Sequence, residues 1–87
     1  MEIELNYSNG EFTYPEKPKG VINAEVLNVV ITCNPPFKGQ PKELAELAVE
    51  FFNEQNQMDW HFNTILISKK EFNATCTVGF QMCREGI

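Results

Sequence analysis

The chain has little of the material from which catalytic and metal centres are usually built. Among its 87 residues are one histidine and three cysteines, Cys33, Cys76 and Cys83. An odd number of cysteines without CxxC spacing argues against both a disulfide framework and a zinc site. No glycine-rich phosphate loop is present either. We therefore predict no catalytic residue, no cofactor and no metal, and expect a non-enzymatic protein of the reducing cytoplasm.

Long apolar runs and basic residues are also scarce. No stretch is long enough to span a membrane, and the N-terminus carries acids rather than a targeting pattern. Twelve acidic residues against seven basic ones leave a net charge of −5, which repels phosphate backbones and argues against direct nucleic-acid binding. A hydrophobic content of 43% predicts a packed core. The length predicts one domain over residues 1–87.

Two hairpins and one central strand are predicted from apolar patterns. Residues 1–7 alternate as a half-buried strand, and Asn9-Gly10 is the pair preferred in a type I′ turn, which sets Tyr7 opposite Phe12. Residues 21–33 are rich in β-branched residues and carry apolar residues on both faces, as in a central strand. Residues 60–68 and 72–82 form the second hairpin, with a polar turn at 68–71.

One amphipathic helix is predicted over residues 40–57, with Pro41 at its first position and Gln40 as N-cap. Helical spacing predicts that Val49 lies roughly opposite the core face. The fold class is therefore α+β, a mostly antiparallel five-stranded sheet (β-hairpin, strand, helix, β-hairpin) with the helix packed on it. The residues predicted to form the core face of the helix are Leu44, Leu47, Ala48, Phe51 and Phe52.

Four glutamates of the helix, Glu43, Glu46, Glu50 and Glu54, lie within an arc of roughly 80°. Such a stripe is either a solvated surface or a contact for a basic patch on another protein, where complementary charge steers association. We take these residues as the candidate partner-binding site.

A second candidate surface is apolar. If both strands are central, Val26, Val30, Ile65 and Ile67 lie on the sheet face away from the helix. A large apolar patch of that kind marks an interface, and this one predicts a homodimer. The alternative is a sheet that wraps and buries both faces.

The remaining reactive side chains are His61 and the three cysteines. By strand parity Cys76 points inward and Cys83 outward, so these two do not share a face. Structural cysteines are the favoured interpretation, and a nucleophilic Cys/His pair is the alternative.

The functional prediction is a small acidic protein-binding module. It would act as an inhibitor or regulator of a partner with a basic surface, such as one that binds nucleic acid. In size and charge the chain is similar to small inhibitors that phages and mobile elements encode, a likeness of composition alone. The alternative is a module that binds a small anion or nucleotide at a dimer interface or at loops bearing lysines. Those lysines are Lys17, Lys19, Lys38, Lys42, Lys69 and Lys70.

Overall fold

The computed structural model describes residues 2–16 and 24–84, apart from the side chains of 64–66. One helix packs on a five-stranded sheet, which confirms the α+β class. The elements in chain order are β1 (Glu2–Ser8), β2 (Glu11–Thr13), β3 (Val26–Cys33), α1 (Pro41–Asn56), β4 (His61–Phe72) and β5 (Thr75–Cys83).

The sheet is mixed, with strand order β2-β1-β3-β5-β4. β1 and β3 are parallel, whereas the other three neighbouring pairs are antiparallel. Antiparallel strands can follow a tight turn, but parallel ones need a longer connection. Residues 9–25 supply that length, because β2 turns back beside β1 before the chain reaches β3. β3 is the middle strand, as predicted.

The first hairpin matches its prediction. Asn9 and Gly10 have φ angles of 55° and 81°, the positive values that both central residues of a type I′ turn require. Tyr7 pairs with Phe12, and their ring centroids are 4.7 Å apart. The local turn chemistry therefore determines the register of this hairpin.

The helix has the predicted ends but a different buried face. Gln40 is the N-cap and Gln57 is the left-handed C-cap. Leu47, predicted to be in the core, is 45% exposed, and Val49, predicted to lie opposite the core, is only 7% exposed. The helix is thus rotated about its axis from the predicted orientation. Its buried residues are Leu44, Ala45, Ala48, Val49 and Phe52.

Aromatic side chains cover the part of the sheet that one helix is too narrow to shield. The Phe51 ring lies 5.3 Å from that of Phe12 and 5.7 Å from that of Tyr14. The Phe37 ring, in the loop before α1, packs edge-on against Tyr7 at 5.8 Å. These rings extend the apolar layer from the helix to β1 and β2.

The second hairpin differs from its prediction in two places. β4 continues through Phe72, so the turn lies at Asn73, which has a φ of 54°, and not at residues 68–71. In addition, Asn63 pairs with Gln81 but Ile67 pairs with Phe80. β4 therefore advances by four residues where β5 advances by one, which leaves three extra residues in β4. An irregularity with an odd number of extra residues reverses the alternation of side chains. Ile67 therefore packs against the core.

Candidate functional site

The four helix glutamates form the outward face of α1. Glu43, Glu46, Glu50 and Glu54 are all exposed. At 100° per residue, the centre of this acidic stripe lies about 170° from the centre of the buried residues of α1. The rotation of the helix thus turns the stripe directly towards solvent. Its backbone is held by the core beneath it, so the carboxylates are presented on a rigid element.

In the described part of the chain, no ion pair is found for the glutamates of the acidic stripe. Within residues 2–16 and 24–84, the ion pair found joins Lys69 to Glu71 in β4, with 3.7 Å between Nζ and Oε1. Lys42 is the single basic residue of α1, and the last turn contains none. Glu43 is stabilised by the positive end of the helix dipole, whereas Glu54 near the other end is not. The stripe is therefore a surface of concentrated negative potential.

An apolar side chain lies beside the acidic stripe. Leu47 is four residues after Glu43 and three before Glu50, so it neighbours both on the helix surface. With 45% of its surface exposed, it gives the stripe an apolar contact point. The prediction that Leu47 lies in the core was wrong, because this side chain is on the surface. Ala45 and Val49 could have indicated this, because they complete a second apolar arc on the same helix, and that arc is the one that is buried.

The predicted oligomer face is not assembled as expected. Val26 is 45% exposed and Val30 is half-buried, and both point away from the helix. Ile67 lies on the opposite side of the sheet, against the core, because of the irregularity in β4. The side chain of Ile65 lies outside the described residues. The placement of Ile67 was thus wrong, and the homodimer remains a prediction that rests on two valines.

Polar side chains separate those two valines on the outer sheet face. Asn63 Nδ2 donates to Gln81 Oε1 at 3.0 Å, and Gln81 Nε2 donates to Asn28 Oδ1 at 3.3 Å. Beside this amide ladder, a shallow pocket of about 370 Å³ lies over Gly79 and Ser68. A hydrated polar face of this kind is typical of one side of an antiparallel sheet.

Two of the lysines predicted to lie in loops belong to a strand instead. Lys69 and Lys70 lie within β4 rather than in a loop. Lys69 Nζ donates to the Phe37 carbonyl oxygen at 3.0 Å and is also paired with Glu71. Its charge is thus already engaged. Two lysines of the predicted set lie outside the described residues: Lys17 and Lys19.

The cysteines occupy two different environments. Cys33 and Cys76 are buried and opposite each other in the β3–β5 register, whereas Cys83 is half-buried and points outward opposite the exposed His61. The inward and outward assignments of Cys76 and Cys83 are confirmed. Burial raises the pKa of Cys33 to about 12, and the hydrogen bond with Cys76 adds to this. A thiol of that pKa is a poor nucleophile at neutral pH.

Across residues 2–16 and 24–84, no three His, Cys, Asp or Glu side chains are grouped to bind a metal. In the same part of the chain, no helix has the length and apolar character needed to cross a membrane.

Comparison with protein-family models, with curated proteins and with solved structures finds no match.

Proposed function

We propose that this chain is a small protein-binding module that inhibits or regulates a partner by docking the outward face of α1 on a basic surface. The observation that carries the proposal is the acidic stripe: four exposed glutamates on one line of the helix, for which no ion pair is found among the described residues. Complementary charge of this kind raises association rates and selects the partner. The proposed activity requires no chemistry from the module itself.

The form of the surface indicates what kind of partner would fit it. The stripe runs from Glu43 to Glu54, eleven residues along the helix, which is about 16 Å. A matching partner has lysines and arginines spaced over that length, as on a surface that binds a nucleic-acid backbone. Leu47 would enter a small apolar depression among those cations. Charged rims with an apolar centre are common in specific interfaces.

The position of the stripe on a packed helix favours binding without refolding. Leu44 and Phe52, on the opposite side of α1, are completely or almost completely buried. Asn53 also ties the end of the helix to the chain before β4, through hydrogen bonds of 2.8 and 3.0 Å to the backbone of Trp60. Because the backbone under the stripe is ordered before contact, association loses less conformational entropy.

The test compares charge reversal on two faces of the same molecule. One variant carries Lys in place of Glu46, Glu50 and Glu54. The control carries Lys at three exposed acidic positions of the first hairpin, on the other face of the sheet, and has the same change in net charge. Those control positions are Glu2, Glu4 and Glu11.

Affinity capture from the native host, at low and high salt with identification by mass spectrometry, gives the readout. We expect wild type and the control variant to capture the same basic protein at low salt, and the helix variant to lose it. The thermal midpoint should change little in the helix variant, because its substitutions are exposed and keep the same like-charge spacing. Equal loss with both variants would mean that net charge, and not α1, mediates binding.

A further inference from the structure

The two buried cysteines are neighbours in space although 43 positions separate them in sequence. Cys33 of β3 and Cys76 of β5 are directly opposite each other in the antiparallel register, and each is 0% exposed. Opposed residues in such a pair have Cα atoms about 4.5 to 5.5 Å apart, and disulfides span Cα separations of about 4.4 to 6.8 Å. Their side chains also share one face. The backbone therefore already has disulfide-compatible spacing.

The two cysteines are free thiols, and a neighbouring segment of the chain covers them. Cys33 and Cys76 are both free, buried cysteines. The Phe37 amide donates to Cys76 Sγ at 3.3 Å, and Lys69 Nζ holds the Phe37 carbonyl at 3.0 Å. The segment around Phe37 therefore lies over the thiols and separates them from solvent.

We propose that Cys33 and Cys76 form a redox modification site, a dithiol that a small-molecule disulfide such as oxidised glutathione converts into a bridge between β3 and β5. One thiolate attacks the small disulfide and releases one thiol, and the second cysteine then displaces the other thiol from the mixed disulfide. The balance is two protein thiols and one small disulfide giving one protein disulfide and two small thiols. Because neither cysteine is exposed, the segment around Phe37 that covers the thiols has to open before the small disulfide can reach them.

The bridge would stabilise the centre of the molecule without moving its strands. β3 and β5 are the third and fourth strands of the sheet, and the new bond would close a long loop that includes all of α1 and β4. Closing a loop of this length lowers the entropy of the unfolded chain substantially. This response to redox conditions is separate from binding through α1, because neither cysteine lies on the acidic stripe.

The test measures whether the fold favours the bridge. The protein is prepared with Cys83→Ser, which removes the outward thiol at a half-buried position. It is equilibrated with mixtures of oxidised and reduced glutathione, once by refolding into buffer and once in concentrated urea. Intact mass after trapping free thiols reports the bridged fraction. We expect the folded chain to become half-bridged at a ratio of oxidised glutathione to the square of reduced glutathione about 100-fold lower than the ratio that the unfolded chain needs.

A variant with a single cysteine is the control for the bridge. Adding Cys33→Ala to the Cys83→Ser background leaves one thiol, which forms at most a mixed disulfide and never the internal bridge. The bridged protein should melt about 10 °C or more above the reduced form. An equal or higher ratio for the folded chain than for the chain in urea would overturn the proposal, because the native geometry would then oppose the bond.

Discussion

The rotation of α1 can be tested with two identical substitutions made three residues apart. Leu44→Ala and Leu47→Ala remove the same atoms from the same helix. Leu44 is 0% exposed and Leu47 is 45% exposed. The structure therefore predicts very different costs, whereas the amphipathic pattern places both leucines in the core and predicts similar ones.

The expected magnitudes follow from burial. Truncating a completely buried leucine to alanine costs about 3 to 5 kcal/mol, because it removes apolar contacts and leaves a cavity. Complete burial of a leucine contributes about 1.5 to 3 kcal/mol, so a side chain near half exposure contributes about 1 kcal/mol. Alanine, as the better helix former, offsets part of that second loss. The difference between the two variants should be at least about 2 kcal/mol.

Urea unfolding measures this difference through the midpoint, provided that both variants keep the wild-type slope. In a domain of this size, 1 kcal/mol corresponds to about 4 to 8 °C in the thermal midpoint, so thermal unfolding gives a second readout. A cost for Leu47→Ala equal to that for Leu44→Ala would refute the reasoning. The acidic stripe would then not face directly outward, and the proposed binding surface would lose its geometric basis.

Two further predictions concern Asn53, which joins the end of α1 to Trp60, and the buried thiol of Cys33. Asn53→Ala should lower the free energy of unfolding by about 1 to 3 kcal/mol, because it removes both side-chain hydrogen bonds to the Trp60 backbone. The control Gln55→Ala, at an exposed position, should change the free energy of unfolding by less than about 0.5 kcal/mol. Equal urea midpoints for these two variants would contradict the prediction. The pKa of Cys33 is raised from 9.0 to about 12 in the folded protein, chiefly by burial, so its contribution to stability is complete below pH 9 and is lost as the pH rises towards 12. The urea midpoint of wild type should therefore fall more steeply above pH 9 than that of Cys33→Ala, and parallel curves would show that Cys33 is not the group responsible.

Part of the candidate site could be predicted from the pattern of residues. The glutamates at helical spacing identified the acidic stripe, because a long helix places residues three and four apart on one side. The exposure of Leu47 was not accessible in the same way. The helix has two overlapping apolar arcs, one through Leu47 and Phe51 and one through Ala45 and Val49. Which arc is buried depends on the shape of the sheet beneath.

Local chemistry was sufficient for the first hairpin turn, for the ends of the helix and for the inward side of β5. The positive φ angles tolerated by Asn9-Gly10 determine the first turn, Pro41 starts the helix, and period-two alternation marks the inward side of β5, because each of these depends only on neighbouring residues. Contacts between distant segments decided the rest. The parallel β1–β3 pair, the irregularity that turns Ile67 inward, and the meeting of Cys33 with Cys76 depend on how strands pair across the sheet. That pairing is a balance of packing over the whole core, which no local pattern of residues encodes.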